Sequence, residues 1–457
     1  MSSHSPSLSD GAARWAWRLS AFILLYTTWV WAGMRPSFHC VAILAALALM
    51  AVVIRGGAGR ALWRDPVFWL GLLFFAYLAV PWLNAGRVLY YDVAFQRWQY
   101  TPPPWPGWPF SFDRTEAGRM VAWFFPAWVL VLAVRSPLVD GKAALRLLHL
   151  IVISAGLLAL FGVVQFLSGV RSIYGVTPLC CMFFASFPYA NHAAAFFLMA
   201  AALAAGMLFR IYWRVRGLAG NGPSGLFSLV LFLCLTGACL SLSRAGILLS
   251  GVLGLGLLAY GWRLGRLGFS PADRFRFAVG ALTLLTLAAA SVFALGEQLI
   301  HHEFTAAQAS PLWGHLNVGL SGRPHFVRAA WAMWLDHPWW GVGGWGYRHL
   351  VSFYVDPGLW PDLQKMGWAN VHCDALQFLT EFGLAGASLL AAVVGLLAWP
   401  ARRSGSGPQP LHLLAWVGLA LVLVFSLVDL PFRCPAILYT WSVVLAALPK
   451  VAAVPSV

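Results

Sequence analysis

Residues 226–262 decide the fold of this chain, and they read LFSLVLFLCLTGACL, then SLSRAG, then ILLSGVLGLGLLAYGW. The first and third parts are apolar runs that, with their neighbours, predict two membrane spans at 226–243 and 246–262. The short polar part from Ser241 to Gly246 separates them and carries one charged residue, Arg244. This pattern is typical of two transmembrane helices joined by a tight turn.

The composition extends this interpretation to the whole chain. Of the 457 residues, 60% are hydrophobic and 10% are charged, and the mean hydropathy is +0.75. Soluble domains are roughly 25% charged, so we expect an integral membrane protein. The apolar runs are about 17–25 residues long, which favours helices over the ten-residue alternation of an outer-membrane barrel. We therefore predict an all-α, polytopic membrane protein with a single membrane domain over residues 1–457.

The apolar runs predict about twelve spans of roughly 20 residues each. They lie at 19–34, 38–54, 66–83, 118–134, 147–167, 188–209, 226–243, 246–262, 277–296, 379–399, 411–429 and 432–449. The first span follows Arg14 and Arg18 without a small-residue cleavage site, so we interpret it as an uncleaved span. Between the late spans lies a long polar segment, 297–378, which we predict to be a large periplasmic loop.

Loop charge predicts the orientation of the bundle. If the N-terminus is cytoplasmic, the cytoplasmic segments hold 18 of the 30 Lys and Arg residues and only four of the 15 Asp and Glu residues. Positive residues favour the cytoplasmic side and its anionic leaflet. The formal net charge of +15 is thereby explained without nucleic acid, and both termini are predicted to be cytoplasmic.

Arg244 is the first candidate for function. A guanidinium at a membrane boundary is costly unless an anionic group meets it, and positive-inside logic disfavours a basic residue on this side. The planar fork of arginine suits phosphate. The alternative is a basic side chain that snorkels at the interface.

The predicted periplasmic loop supplies the next candidates, in the run Gly322-Arg-Pro-His325. We expect Gly322 and Pro324 to shape a helix start around Arg323, and helix starts favour anions. His325 and Arg328 follow and are candidates for substrate binding, as is Arg171 in the outer segment 168–187. A solvated loop position is the plain alternative for each of these residues.

His372 lies just before an apolar helix and beside Asp374, and it is the candidate general base. Imidazole suits this role near neutral pH, where such a base contributes roughly 10²–10⁴-fold. His325 and His337 are rivals, although His337 precedes Pro338 and is better explained as a helix end.

The run Gly341-Val-Gly-Gly-Trp-Gly346 follows no strand of a βαβ unit, so it does not indicate a dinucleotide site. We interpret it as a flexible turn or as backbone that closely approaches a ligand. No histidine pair has zincin spacing, and we expect neither a metal nor another cofactor. A disulfide among Cys180, Cys181, Cys373 and Cys434 is compatible with periplasmic loops, but the spacing fixes no pairing.

These motifs together resemble those of the O-antigen ligase/polymerase superfamily of bacterial inner-membrane proteins. Ser243-Arg244-Ala-Gly is similar to the family's Ser-Arg-Gly junction, with Ala245 in place of Gly. The series Gly322-Arg323, Trp331, His337-Pro338 and Gly341-Val-Gly343 resembles the loop signature. His372-Cys373 followed by Gly383-x-x-Gly386 resembles the ligase histidine motif, with Cys373 at a position where the family usually has Asn, Ser or Gln. Pro188-Tyr-Ala-Asn191-His192 loosely resembles a Pro-Asn segment at the head of a span.

The resemblance implies an enzyme that transfers a glycan at the periplasmic face of the bacterial inner membrane. The donor would be a glycan on undecaprenyl diphosphate, and the acceptor would be lipid A–core. Arg244 and Arg323 would hold the diphosphate, and His372 would deprotonate the acceptor hydroxyl in a one-step, inverting reaction. The His motif favours this ligase over the alternative, an O-antigen or exopolysaccharide polymerase that uses the same donor.

A glycolipid transporter or flippase is the alternative from another class. It would place charged residues at mid-membrane and would show paired half-molecule repeats. Here the ionisable groups outside the basic loops gather at one predicted face, which favours the enzyme.

Overall fold

The structure is a computed structural model that describes residues 8–176, 183–215, 223–268, 312–359, 369–403 and 409–453, with single positions at 271, 275, 279 and 286. Within these residues the chain is helical apart from loops and one small hairpin. The predicted all-α polytopic fold is confirmed.

The first half of the chain forms long helices that run back and forth between two ends of a bundle. They are α1 (Leu8–Trp29), α2 (Pro36–Val53), the short α3 (Gly59–Arg64), α4 (Pro66–Leu83), α5 (Arg114–Arg135), α6 (Gly141–Leu167), α7 (Ala190–Val215), α8 (Pro223–Leu240) and α9 (Arg244–Gly268). Between α4 and α5, strands β1 (Leu89–Asp92) and β2 (Arg97–Tyr100) pair as an antiparallel hairpin.

The second half contributes α10 (Leu312–Asp336), α11 (Gly346–Tyr354), α12 (Asp374–Arg403), α13 (Pro410–Phe425) and α14 (Pro435–Ala452). Short 3₁₀ turns lie at Trp31–Gly33, Pro357–Leu359 and Pro431–Arg433.

The described helices overlap the predicted spans, but fewer than the predicted twelve are candidate membrane spans, and α1 is not one of them. Eight of them are long and apolar enough to cross a membrane, while two further apolar helices, Ser224–Leu240 and Pro410–Phe425, are shorter. The predicted span 277–296 lies outside the described residues, and each of the other predicted spans overlaps a helix. The first helix begins earlier than predicted and ends at Trp29, because Ala32 and Gly33 take left-handed φ values of 51° and 72°.

Helix α7 lies at the centre of the bundle. Each residue from Ala193 to Ala205 is at most 1% exposed. The many alanines let neighbouring helices approach closely. A Cβ atom at Gly418 of α13 would lie 3.1 Å from the carbonyl oxygen of Met199, so this glycine permits the contact between α7 and α13.

The two ends of the bundle differ in character. At one end, here called the basic end, Arg135 forms an ion pair with Asp65 at 2.6 Å, and the ammonium group of Lys450 donates to the carbonyl oxygens of Ser136 and Val139. At the other end, here called the loop end, lie the described parts of the connections 30–35, 84–113, 168–189, 241–243, 337–373 and 426–434.

Contacts join several of these connections to one another or to α1. The hydroxyl group of Ser186 donates to the carbonyl oxygen of Thr28 at 2.6 Å, and the thiol of Cys434 lies 3.5 Å from the carbonyl oxygen of Ala32. Cys373 and Cys434 are free cysteines, whereas Cys180 and Cys181 lie outside the described residues.

Candidate active site

His372 lies at the loop end, two residues before α12. Its backbone is left-handed, with φ of 56°, and its side chain is 27% exposed. Its Nδ1 atom lies 3.7 Å from Oδ1 of Asp429, which belongs to the connection between α13 and α14. The Nδ1 edge of the imidazole ring therefore points towards a carboxylate, while part of the ring remains open to solvent.

The head of α7 holds Asp429 in place. The Oδ2 atom of Asp429 accepts hydrogen bonds from the Tyr189 hydroxyl group, at 2.9 Å, and from the Asn191 amide group. Its Oδ1 atom accepts from the backbone N–H of Leu430 at 2.8 Å, and the ring of His192 contacts the Leu430 carbonyl oxygen at 3.1 Å. Burial alone would raise the pKa of Asp429, but the nearby His372 and His192 and the Leu430 amide lower it below its ordinary value. The side chain is therefore an anion at neutral pH.

The start of α12 is tied to the same connection. The Asp374 backbone N–H donates to the Ser426 carbonyl oxygen at 2.9 Å, and the Asp374 carboxyl group accepts from the Phe432 backbone N–H at 2.9 Å. These two bonds fix the segment that carries His372 against the segment that carries Asp429.

A buried ion pair lies behind this contact. Arg433 and Glu381 pair through Nη2 and Oε2, with side chains 6% and 0% exposed. The other oxygen of Glu381 accepts from Gln377 at 2.8 Å, and Gln377 in turn accepts from the Val371 backbone N–H at 3.0 Å. Both Glu381 oxygens therefore have donors, which a buried carboxylate requires.

The glycine-rich turn supports α12 where that helix is broken. Gly383 takes φ of 59° and ψ of −170°. The backbone N–H groups of Val342 and Gly343 donate to the carbonyl oxygens of Thr380 and Glu381 at 3.0 and 2.9 Å. A Cβ atom at Gly341 would lie 2.5 Å from the Glu381 carbonyl carbon. The close backbone approach predicted for this turn is thus to α12 rather than to a ligand.

Helix α11 brings further charge to the loop end. Glu116 of α5 receives hydrogen bonds from Arg348, at 3.2 Å, and from His349, at 2.9 Å. The guanidinium carbons of Arg348 and Arg433 lie 4.0 and 4.4 Å from the ring centroid of Trp345. The two ion pairs therefore adjoin across one indole ring.

Arg244 is the first residue of α9, and its side chain is exposed at the loop end. The turn before it is closed by a hydrogen bond from the Gly246 backbone N–H to the Ser243 hydroxyl oxygen at 3.2 Å. A Cβ atom at Gly246 would lie 2.6 Å from that of Ala194, so the start of α9 packs on the first turn of α7. That turn also carries Asn191, which binds Asp429. Arg244 and His372 are thus linked through the head of α7.

Arg323 lies in α10, but its side chain is outside the described residues. The expected helix start at Gly322–Pro324 is wrong, because the helix begins at Leu312 and contains Pro324. His325 and Arg328 are exposed, whereas the neighbouring Phe326 and Ala329 are buried. The predicted structural role of His337 agrees with the structure, since its backbone N–H closes the last turn of α10.

Arg171 is exposed in the loop after α6. The described contacts of this loop are with α1 and α6: Tyr174 donates to the Trp29 carbonyl oxygen at 2.7 Å, and Gln165 donates to that of Ser172 at 2.9 Å. The structure therefore places Arg171 at the loop end but gives it no described contact with the His372 pair.

Sequence reasoning gave no role to several residues that complete the site. These residues are Glu116, Tyr189, Asn191, Arg348, Glu381, Asp429 and Arg433. Three of them carried a signal, because Glu381 is a carboxylate within an apolar helix and Asp429 and Arg433 charge a turn between two spans. Both features are expensive in a membrane. Among the described residues, no group of three His, Cys, Asp or Glu side chains is arranged to hold a metal.

The fold and this layer of charged residues define a polytopic helical membrane protein with a polar candidate site at one end of its bundle. Residues 229–391 match the family model described as O-antigen ligase, and this confirms the predicted resemblance to the O-antigen ligase/polymerase superfamily. The match includes Arg244 and His372, whereas Asp429, Arg433 and Asn191 lie beyond it. A comparison with curated proteins gave no match. The family indicates a bacterial membrane protein of the glycosyltransferase class, with ligase-type or polymerase-type transfer.

Proposed function

We propose that the protein transfers a glycan from undecaprenyl diphosphate to lipid A–core, with His372 as the general base. The observation that carries the proposal is the placement of His372 against Asp429 at the loop end, with Nδ1 and Oδ1 3.7 Å apart. The carboxylate orients the imidazole group through Nδ1 and favours its protonated form after proton transfer. Nε2 is then the nitrogen that takes the proton.

The reaction takes place in one step. The acceptor hydroxyl oxygen attacks the anomeric carbon of the donor sugar while its proton passes to Nε2 of His372. The bond between that carbon and the phosphate oxygen breaks, and its electron pair stays on the diphosphate. Attack from the opposite face inverts the anomeric carbon, and no covalent enzyme intermediate forms.

The leaving diphosphate gains charge in the transition state, so cations near it lower the barrier. Arg244 supports this role because it is exposed at the loop end and is linked to the His372 pair through α7. Arg323 is assigned the same role from its motif. His325, Arg328 and Arg171 are assigned to outer parts of the substrates, since the structure places them on exposed surfaces.

The proposed orientation puts the loop end in the periplasm of the inner membrane and the basic end in the cytoplasm. The support is the basic end itself, where Arg14, Arg18, Arg60, Arg64 and Arg146 are exposed. Basic residues favour the cytoplasmic side, and both termini then lie there. The segment 297–378 is correspondingly the periplasmic loop within a single membrane domain.

The test is transfer by the purified protein in liposomes that contain a lipid-diphosphate glycan, with lipid A–core as one acceptor and a second lipid-linked glycan as the other. His372→Ala should reduce transfer by about 10²–10⁴-fold. The control is His412→Ala, because His412 begins α13 at the basic end. Full activity of His372→Ala would remove the base assignment.

The same assay separates the two branches of the superfamily, since they differ in the acceptor. A glycan on lipid A–core identifies a ligase, and longer lipid-linked chains identify a polymerase. Absence of both products with an inserted, folded protein would refute glycosyl transfer.

A further inference from the structure

A cluster of hydrogen-bond donors surrounds Trp345 at the loop end, apart from the Arg244 junction. Its members are Arg119 and Trp123 of α5, Trp345 just before α11, Arg348 within α11, and Arg433 before α14. The Trp123 and Trp345 rings lie 5.2 Å apart, and the guanidinium carbons of Arg348 and Arg433 lie 4.0 and 4.4 Å from the Trp345 centroid.

The cluster holds donors that the described part of the chain does not satisfy. Five buried nitrogen atoms have no hydrogen-bond partner there: Nε of Arg119, Nε1 of Trp123, Nε1 of Trp345, and Nε and Nη1 of Arg433. Trp123 is 6% exposed and Arg433 is 5% exposed. Buried donors without acceptors are rare in folded proteins, because a donor taken out of water without a partner is destabilising.

The carboxylates near the cluster do not provide acceptors for these unpartnered donors. The nearby carboxylates Glu116 and Glu381 are already engaged, by Arg348 and His349 and by Arg433 and Gln377. Asp374 adds one more buried oxygen without a partner. The excess is therefore one of donors, with five unpartnered nitrogen atoms against one unpartnered oxygen.

The pKa of Arg348 reflects burial and also repulsion between the guanidinium groups of the cluster. Burial lowers the pKa of Arg348 to about 10, and the neighbouring Arg433 and Arg119 contribute in the same direction, against Glu116 and Glu381. An anionic group among these guanidinium ions would relieve their repulsion.

We propose that this donor cluster is a second anion site, which takes a phosphate or diphosphate group of a substrate. Phosphate oxygens accept several hydrogen bonds at once and match the arginine fork. The cluster adjoins the catalytic pair, since Arg433 and Asp429 share one turn and their Cα atoms are at most about 14 Å apart. The partly exposed Arg119, Trp345 and Arg348 give it an opening. Because both substrates of the proposed reaction are phosphate-bearing lipids, this inference rests on the proposed function for its physiological ligand.

The test begins with inorganic pyrophosphate and the purified full chain, by calorimetric titration at fixed ionic strength. Arg244→Gln should still bind pyrophosphate, because the cluster is separate from that junction. Arg119→Gln in the same background should weaken binding by about 10- to 100-fold, as expected for a lost charged hydrogen bond. The matched control is Arg97→Gln, since Arg97 is exposed on the hairpin.

Trp123→Phe keeps the ring and removes one N–H group, so it tests the site without loss of charge. It should weaken pyrophosphate binding several-fold, with an unchanged melting temperature in the absence of ligand. Equal binding by the parent, Arg119→Gln and Trp123→Phe proteins would overturn the proposal, and so would a complete loss of binding in Arg244→Gln.

Transfer kinetics then identify the source of the phosphate. Arg119→Gln should raise the KM for the lipid-diphosphate donor if the cluster holds the donor, or the KM for the acceptor if it holds acceptor phosphate. Unchanged KM values for both would refute a role in substrate binding. Failure of the proposed function is distinguishable, because neither transfer product would then form while pyrophosphate binding still depended on Arg119.

Discussion

Oδ1 of Asp429 lies 3.7 Å from Nδ1 of His372, although one residue follows α13 and the other precedes α12. We expect Asp429→Asn to retain the local shape and to lower transfer by about 10-fold or more, since a poorly supported base loses part of its contribution. The loss should appear in kcat rather than in KM, since Asp429 acts through the base.

The melting temperature of the variant separates a lost orientation of the base from general damage to the fold. Asp10→Asn is the control, since Asp10 is exposed near the N-terminus at the basic end. If Asp429→Asn lowered the rate only in proportion to a loss of folded protein, Asp429 would have a structural role only.

The buried pair of Glu381 and Arg433 makes a prediction about stability. Glu381→Gln leaves a buried guanidinium without its anion, and such a loss costs about 3–5 kcal/mol. Arg433→Gln should cost a similar amount, whereas the double variant should cost clearly less than the sum. Denaturant unfolding in detergent measures all three, and strict additivity would show that the pair contributes no coupling energy.

Much of the fold was predictable because lipid imposes a simple rule on sequence. An apolar run of about 20 residues forms a helix in a bilayer, since every backbone group must bond within it. The break in α12 at Gly383 was not predictable, because its freed backbone groups bond with residues 338–343 of a different segment.

The candidate site was predictable only where its residues carried a local motif. Ser243-Arg244 stood out as a charged break between two apolar runs, and His372 stood out because it precedes an apolar helix and lies near Asp374. Asn191 lay in the Pro-Asn segment and Asp429 in a charged turn, but neither pattern indicated their contact, which appears only when α7 meets the connection between α13 and α14. Long-range polar contacts of this kind have no periodicity that a single sequence displays.

The glycine turn gives a second stability prediction. Gly341→Ala places a Cβ atom 2.5 Å from the Glu381 carbonyl carbon at a φ of 68°. The nearest atoms belong to the Glu381 carbonyl group and the Gly383 nitrogen, all of them backbone, so a side-chain movement cannot remove the clash. We expect the free energy of unfolding to fall by at least about 2 kcal/mol. Gly395→Ala is the control, because nothing lies within 4 Å of its added Cβ atom. A Gly341→Ala protein as stable as the Gly395→Ala protein would contradict the packing described for α12.

Asp113 caps α5, and its Oδ1 atom accepts from the Glu116 backbone N–H at 2.9 Å. That hydrogen bond is the main reason why the pKa of Asp113 lies below its ordinary value. The stabilisation is therefore complete above about pH 4 and is lost as the pH falls through the lowered value. Asp113→Ala should cost about 1 kcal/mol at pH 7, and Asp113→Asn should cost little at any pH. Melting curves from pH 3 to 7 test this, and parallel acid losses in the parent and Asp113→Asn proteins would exclude the cap as their source.

Orientation is testable with cysteines introduced at the two ends. Arg97→Cys on the hairpin should react with a membrane-impermeant maleimide in spheroplasts, because the loop end is proposed to face the periplasm. Arg60→Cys at the basic end should react only after the membrane is permeabilised. Labelling is measured above that of the parent protein, which has the exposed native Cys40. Reaction of Arg60→Cys in intact spheroplasts would reverse the bundle and place His372 in the cytoplasm, where a periplasmic acceptor is out of reach.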